Sequence, residues 1–265
     1  MARKKGGGGG RQRARQRQQY DELDKYPVMP PHAFARIVRD KQTLNIIYQI
    51  IEPPLTKKEQ EQRDEIMDIF IRSLTANIEE IDSNPEAYVR TAMDKVIKSY
   101  SMKINKKSKS KLFYYLRRDL IGYGKMDVLM NDVNVEDISL DGTNVPIFAY
   151  HRKFESVETT CVWETDEELE SYVIKLAQRC GKHISVAEPM LDATLMDGSR
   201  IVMKLGHEIS TRGSAFCIRR FKDDPFSPAD IVAFRTMSSL MVAYLWIAFQ
   251  NEVPMLFVGG TASGK

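Results

Sequence analysis

The sequence predicts an α+β fold, in which a helical segment precedes a mixed antiparallel-sheet domain that leads into the start of an α/β domain. Three features predict it. Apolar residues recur at helical spacing over residues 20–123 and alternate with a period near two over residues 124–222, and a short apolar run follows an apolar helix within residues 223–265. Residues 1–19 form a separate tail.

The composition is that of an ordinary globular protein. The 265 residues are 43% hydrophobic and 28% charged, which fits one or two domains. The longest apolar run, Met241–Phe249, is well short of the roughly 20 residues that span a bilayer, and the N-terminus lacks the apolar region of a signal peptide. An odd number of widely spaced cysteines (Cys161, Cys180 and Cys217) indicates no disulfide or metal framework and favours a reducing, cytoplasmic setting.

The tail is basic and almost free of apolar residues, so we expect it to be disordered. Its positive charge could attract anionic lipid or nucleic acid, or it could be a solvated tail and nothing more. The basic residues are Arg3, Lys4, Lys5, Arg11, Arg13, Arg15 and Arg17. A second basic run, Lys103–Lys111, is interpreted as a solvated linker.

Helices are expected through most of residues 20–120. The isoleucines of Ile46–Ile51 have near-helical spacing, although their β-branching also allows a strand. Lys57–Leu74 has the pattern of an amphipathic helix, and Pro85 follows Asn84 as the first residue of another. A further helix, Lys111–Ile121, should stop at the glycines that follow it.

After Gly124 the pattern changes to strands. Val135–Gly142 and Val145–Trp163 alternate and are rich in β-formers, and a charged helix follows at Asp166–Cys180. The segment Ala193–Leu205 is typical of a hairpin with an Asp-Gly turn, and Arg212–Phe221 predicts one more strand. Glu136 and Asp137 are interpreted as charges at a strand edge.

A linker then leads into the last region. Ser227, Pro228 and Asp230 have the spacing of a helix N-cap, first residue and capping box. An apolar helix is expected at Met237–Gln250, and a short buried strand at Pro254–Gly259. The apolar face of this helix is interpreted as core rather than as a membrane device; it carries Leu240, Val242, Tyr244, Leu245 and Phe249.

The chain closes on a phosphate-binding loop sequence of the form G-x-x-x-x-G-K. Glycines allow successive backbone N–H groups to wrap phosphate oxygens, and Lys265 would bridge the β- and γ-phosphates of ATP. The residues expected to contact the nucleotide are Gly259, Gly260, Thr261, Ala262, Ser263, Gly264 and Lys265. The hydroxyl ligand of Mg²⁺ and the acidic strand of such sites are expected after Lys265, so we expect this fragment alone to be inactive as an ATPase.

Several segments together resemble the type II/type IV secretion ATPase family, in particular its archaeal branch of secretion protein E-like ATPases. They are Ile50–Gln60, Val135–His151, Glu188–Ile201, Gly213–Phe221, the helix start at Ser227 and the phosphate-loop sequence. The similarity runs from about residue 50 to the end and excludes the basic tail. In the DGSR signature the family usually has proline where this chain has Met196.

The resemblance implies a hexameric motor ATPase that powers type II secretion or the assembly of type IV pili or archaella. It implies an N-terminal domain joined to a RecA-like P-loop domain, with ATP in the cleft between them. It also implies a polytopic membrane platform protein as partner and a cytoplasmic location at the inner face of the cell membrane.

The resemblance further implies that arginines of the N-terminal domain reach the nucleotide. The candidates are Arg200, Arg212, Arg219 and Arg220. A guanidinium suits phosphate, but each arginine could equally form an ordinary ion pair. Consecutive strand residues face opposite sides of a sheet, so at most one of Arg219 and Arg220 should face the cleft. His151 and His183 are interpreted as structural or surface residues.

Two other functions stay open from the sequence. One is a P-loop motor acting on nucleic acid, with the arginine-rich tail as its electrostatic contact, although a nucleic acid partner is the less favoured reading. The other is a non-enzymatic adaptor that docks to a membrane protein through the helical N-terminal part.

Overall fold

A nine-stranded mixed sheet organises the chain in the computed structural model, which describes residues 19–73, 84–221 and 227–259. The strand order is β1-β2-β3-β6-β5-β4-β9-β8-β7. All neighbours are antiparallel except β3 and β6, which are parallel. The strands are β1 (Tyr20–Met29), β2 (Ala33–Asp40), β3 (Ile46–Ile51), β4 (Val135–Leu140), β5 (Pro146–His151), β6 (Glu155–Val162), β7 (Met190–Thr194), β8 (Arg200–Lys204) and β9 (Ala215–Arg219).

Seven α-helices lie within the described residues, together with a 3₁₀ turn at Gly124–Met126. They are α1 (Lys57–Ser73), α2 (Pro85–Ser99), α3 (Lys106–Leu120), α4 (Asp127–Asn131), α5 (Asp166–Arg179), α6 (Pro228–Ala233) and α7 (Ser239–Gln250). The described residues up to Phe221 form one compact unit, and those from Ser227 form a second. The domain boundaries drawn from the sequence remain predictions.

The expected helical character of residues 20–51 is wrong, because this segment forms β1, β2 and β3. Strand β3 pairs with β2 over six residues and with β6 at Ile47 and Tyr48. Local spacing of the isoleucines was compatible with either structure. The segment is a strand because β2 and β6 provide hydrogen-bonding partners on its two sides, and this conformation also suits the β-branched side chains.

Helices α1, α2 and α3 form a three-helix bundle with its own apolar core. The bundle core consists of Ile66, Phe70, Val89, Met93, Val96, Leu112 and Leu116. Asn84 caps α2 by accepting from the N–H of Ala87, and Pro85 is its first residue, as predicted. Helix α3 begins at Lys106 under an Asn105 cap, so most of the basic run interpreted as a linker is helical.

Ion pairs and hydrogen bonds fix the direction of the three helices. Ser108, near the start of α3, donates to Glu59, near the start of α1, at 2.6 Å, so these two helices run parallel. Asp94, late in α2, pairs with Lys109 at 2.7 Å, so α2 runs antiparallel to α3. The beginnings of α1 and α3 and the end of α2 therefore lie at the same end of the bundle.

Helix α5 packs on one face of the sheet and buries the residues predicted for its inner face, Leu169, Val173 and Leu176. The sheet contributes alternate residues to this core, among them Ile138 and Ile218, which are opposite each other on β4 and β9. The same alternation leaves the other face of β7, β8 and β9 exposed, because successive strand side chains point to opposite sides.

A buried carboxylate ties distant strands together. Asp132, which follows α4, accepts hydrogen bonds from the hydroxyls of Tyr26 (2.7 Å) and Tyr48 (2.6 Å) and from the N–H of Asn134 (2.9 Å). His151 Nε2 lies 2.9 Å from the Tyr26 hydroxyl, and its Nδ1 accepts from the N–H of Lys153. Burial lowers the pKa of His151. Because Nδ1 accepts a hydrogen bond, it carries no proton, and the protonated Nε2 donates to the Tyr26 hydroxyl.

The second unit contains α6 and α7. Ser227, Pro228 and Asp230 form the predicted cap and capping box. The apolar residues of α7 are not the buried core that we expected. Leu240 and Phe249 are 82% and 78% exposed, and Val242, Leu245 and Phe249 help to line an apolar groove of ≈ 610 Å³. Apolar periodicity identifies residues suited to burial without supplying what covers them.

The strand expected at Pro254–Gly259 is absent from the described residues, where this segment has no regular secondary structure. A strand needs a ladder partner, and no other strand lies within the described part of the second unit.

Gly142 marks a close approach between the β4–β5 turn and the loop before β9. Its φ is +120°, and a Cβ placed there would lie 2.2 Å from the carbonyl oxygen of Arg212.

We predict that Gly142→Ala destabilises the protein by about 2–4 kcal/mol in urea denaturation, from backbone strain and the clash together. Gly181→Ala is the matched control, because Gly181 also has a positive φ but nothing within 4 Å of an added Cβ. Equal losses in the two variants would contradict the close approach.

Candidate functional site

Two of the predicted arginines lie side by side on the exposed face of the sheet. Arg200 begins β8 and Arg219 ends β9, and the two are directly opposite in the antiparallel ladder. Directly opposite residues point to the same face. Their side chains are 72% and 79% exposed. The structure therefore brings these two candidates together.

The pair is electrostatically unfavourable by itself, because like charges directly opposite in a ladder repel. Each arginine has one carboxylate neighbour on its outer side. Arg219 Nε lies 3.2 Å from Asp137 Oδ1 on β4, and Arg200 Nη2 lies 3.6 Å from Asp192 Oδ2 on β7. Both ion pairs are exposed and hence weak. A multiply charged anion between the two guanidinium groups would relieve their repulsion.

The DGSR hairpin turn sets the position of Arg200. Asp197 accepts from the N–H of Ser199 at 3.0 Å and from its hydroxyl at 2.9 Å, and Gly198 adopts φ +84°. The Ser199 hydroxyl in turn accepts from the N–H of Phe221 at 3.0 Å. The turn therefore holds the chain just after β9, next to Arg219, and the aspartate and glycine of the signature have structural roles.

Arg220 points the other way, as the alternation predicted. Its guanidinium donates to the carbonyl oxygens of Asp132 and Val135, the latter at 2.9 Å, and its N–H bonds to the carbonyl of Glu136. It thereby joins the end of β9 to the buried Asp132 network. This engagement is that of a structural arginine.

Arg212 lies at the opposite end of β9 from Arg219. Strand β9 alone separates the two ends by about 13 Å, at roughly 3.3 Å per residue. Around Arg212, His207 Nε2 lies 3.1 Å from Asp166 Oδ2 at the start of α5, and the Thr143 hydroxyl donates to Asp166 at 2.7 Å. The structure does not bring Arg212 to the Arg200–Arg219 pair.

The phosphate-loop residues 260–265, including Lys265, lie outside the described residues, and Gly259 is the last one described. Within the described ranges, no group of three or more His, Cys, Asp or Glu side chains could hold a metal ion. None of the helices described is long and apolar enough to cross a bilayer.

The two histidines have the roles expected of them. His151 is buried in the Asp132 network, and His183 is on the surface. Sequence reasoning missed Ser199 and the two carboxylates that flank the arginines. Asp137 had been interpreted only as a strand-edge charge, and Asp192 could have been identified by aligning the two hairpin strands around the Asp-Gly turn.

No protein-family model matches the chain. Three uncharacterized proteins of Methanocaldococcus jannaschii are similar to it in sequence. MJ1288 is 42% identical over 164 residues, which are 62% of this chain and 65% of the relative. MJ0900 is 31% identical over 91% of this chain and 43% of the relative. MJ0781 is 34% identical over 58% of this chain and 21% of the relative. The chain thus spans less than two thirds of the length of each of these relatives.

Among solved structures, the VirB11 ATPase from the Brucella suis type IV secretion system aligns with 48% of this chain and 42% of its own. The sequence identity is 14% and the TM-score is 0.36. A likeness of this size does not establish a shared fold.

The Ser199 hydroxyl is expected to stabilise the fold as well as to help position Arg200. We predict that Ser199→Ala costs about 1–2 kcal/mol in urea denaturation, because the N–H of Phe221 loses its acceptor. Ser139→Ala is the control, since Ser139 is on β4 and its hydroxyl makes no hydrogen bond with the described residues. A loss in Ser199→Ala no larger than that of the control would contradict this role.

The His207–Asp166 contact should make stability depend on pH. The hydrogen bond and charge of Asp166 raise the pKa of His207 above 6.5, and bonding to Thr143 and His207 lowers the pKa of Asp166 below 3.8. The contribution of His207 is complete below pH 6.5 and is lost as pH rises through its folded pKa, whereas that of Asp166 is lost only in acid.

We therefore predict that His207→Gln lowers the Tm slightly between about pH 4 and 6.5 and leaves it unchanged in alkaline solution. His183→Gln, which changes a surface histidine outside any ion pair of the described residues, should show no such pH dependence. A Tm difference that is constant from pH 5 to 9 would exclude the contact as its cause.

Proposed function

We propose that the chain belongs to a hexameric P-loop motor ATPase of the type II/type IV secretion class, which binds ATP and Mg²⁺ in the full-length protein. The observation that carries the proposal is the exposed Arg200–Arg219 pair in a chain that also contains the phosphate-loop sequence Gly259–Lys265. Hydrolysis of the bound ATP would supply the free energy for movement of the two units.

The chemistry of the pair fits a polyphosphate. Guanidinium groups remain charged at all physiological pH values and present a planar fork of donors that matches phosphate oxygens. Two of them in register across β8 and β9 offer donors to neighbouring oxygens of one anion. Arg220 is engaged in the sheet and Arg212 lies at the far end of β9, so the proposal assigns the nucleotide to Arg200 and Arg219.

The remaining parts of the proposal rest on the sequence resemblance. They are the RecA-like character of the second unit, ring assembly, a polytopic membrane platform protein as partner, and a location at the cytoplasmic face of the membrane. In this proposal the motor serves secretion or the assembly of a pilus-like or archaellum filament.

Nucleotide binding and hydrolysis by the full-length protein test the proposal. We predict that Lys265→Ala reduces hydrolysis at least a hundredfold, because the β- and γ-phosphates lose their cation. Arg200→Gln and Arg219→Gln should each weaken ATP binding about tenfold through loss of a charged hydrogen bond. Arg152→Gln is the matched control, an exposed arginine paired with Glu136 on the same sheet. Unchanged hydrolysis in Lys265→Ala would overturn the assignment of the phosphate loop.

A further inference from the structure

Seven exposed lysines from separate parts of the chain converge on one end of the three-helix bundle. Two are in the first turn of α1, two are in the last turns of α2, one is in the α2–α3 connection and two are in the first turn of α3. This lysine end consists of Lys57, Lys58, Lys95, Lys98, Lys103, Lys106 and Lys107. Lys57 and Lys58 are some 40 residues away from the others in sequence, so only the fold unites them.

Specific contacts hold these segments together. The Ser108–Glu59 hydrogen bond joins the beginnings of α3 and α1, and Lys111 Nζ donates to the carbonyl of Pro54, just before α1, at 2.9 Å. On the other side, the Asp94–Lys109 ion pair joins the end of α2 to the beginning of α3. The three helix ends are therefore anchored to one another by bonds close to the lysines.

Two of the carboxylates near this end are already used, and a third, Glu61, is exposed one turn along α1 from Lys57. The Glu59 carboxylate is buried, accepts from the Ser108 hydroxyl and the N–H of Thr56 and pairs with Lys111, and these bonds lower its pKa to about 2. Asp94 pairs with Lys109. None of the seven lysines has an ion-pair partner among the described residues. Even with Glu61 counted against the seven lysines, the lysine end therefore carries a concentrated net positive charge.

The helix directions add to this charge. The N-termini of α1 and α3, each with a partial positive charge, lie at this end together with the C-terminus of α2, whose partial negative charge offsets one of them. Acidic residues are the stabilising choice in a first turn, yet the first turn of α3 has none and carries Lys106 and Lys107 instead. Repulsion within the bundle is thus tolerated at this end, and an anionic surface would relieve it.

We propose that the lysine end docks on an anionic lipid surface. All seven cations are lysines, which act as mobile point charges suited to a diffuse layer of headgroups. Recognition of nucleic acid typically uses arginine forks and stacked aromatic rings. The lysine end has no arginine, and Tyr100, between Lys98 and Lys103, is one exposed aromatic ring and not a stacked series. The number of lysines matches the basic clusters that bind acidic phospholipids.

Vesicle co-sedimentation of the full-length protein tests this proposal independently of any ATPase activity. We expect binding at low salt to vesicles of equal parts phosphatidylcholine and phosphatidylglycerol, and no binding to phosphatidylcholine alone. The triple variant Lys103→Gln, Lys106→Gln and Lys107→Gln should bind on the order of a hundredfold more weakly, at roughly fivefold per lysine. The double variant Lys57→Gln and Lys58→Gln should also bind more weakly, by about twentyfold. The loss in this double variant is expected only if α1 and α3 bring their lysines together, because Lys57 and Lys58 lie outside the run of lysines after residue 102.

The matched control changes three exposed lysines elsewhere in the first unit, Lys25→Gln, Lys153→Gln and Lys182→Gln, and should bind like the unchanged protein. Circular dichroism checks that the helices persist in each variant. Binding that is lost on deleting residues 1–18 but unaffected by the lysine-end variants would overturn the proposal. So would lysine-end variants that lose affinity for a short DNA duplex but not for the anionic vesicles.

Discussion

The buried carboxylate of Asp132 is the constraint on which the first unit depends. The sheet is joined between β3 and β6 through a parallel contact with only two registered pairs, so backbone bonds alone give this junction little support. The Asp132 carboxylate links the two sides of this junction. It accepts hydrogen bonds from the hydroxyls of Tyr26 on β1 and Tyr48 on β3, and His151 on β5 bonds to the same Tyr26 hydroxyl. A buried charge with these donors is satisfied. Without them it would oppose folding by several kcal/mol.

The same constraint reaches the candidate site. Arg220 donates to the main-chain carbonyl of Asp132, and it is the residue directly after Arg219. Because the inward side chain is held, the outward side chain of Arg219 has a defined place on the exposed face. Ser199 secures the chain one residue further on and positions Arg200 through the hairpin turn. The exposed arginine pair is thus supported from beneath by buried polar bonds.

A partly buried ion pair fixes the three-helix bundle to the sheet. Arg118 of α3 lies 2.8 Å from Glu52 at the end of β3, and Tyr114 donates to the same carboxylate at 2.7 Å. Tyr115 donates to the carbonyl of Pro53. These bonds hold the bundle, and with it the lysine end, in a fixed relation to the sheet within the first unit. Two cationic surfaces of different chemistry result, one of paired guanidinium groups and one of dispersed ammonium groups.

The sequence by itself determined the features that depend on neighbours along the chain. The caps at Asn84 and Ser227, the inner face of α5 and the Asp-Gly hairpin were all predictable, because each is set by residues within about four positions. Tertiary structure decided the rest. It made Ile46–Ile51 a strand, because ladder partners came from β2 and β6. It also placed Arg200 beside Arg219 and away from Arg212, and it joined Lys57 to Lys106, because strand register and helix packing act between residues that are distant in sequence.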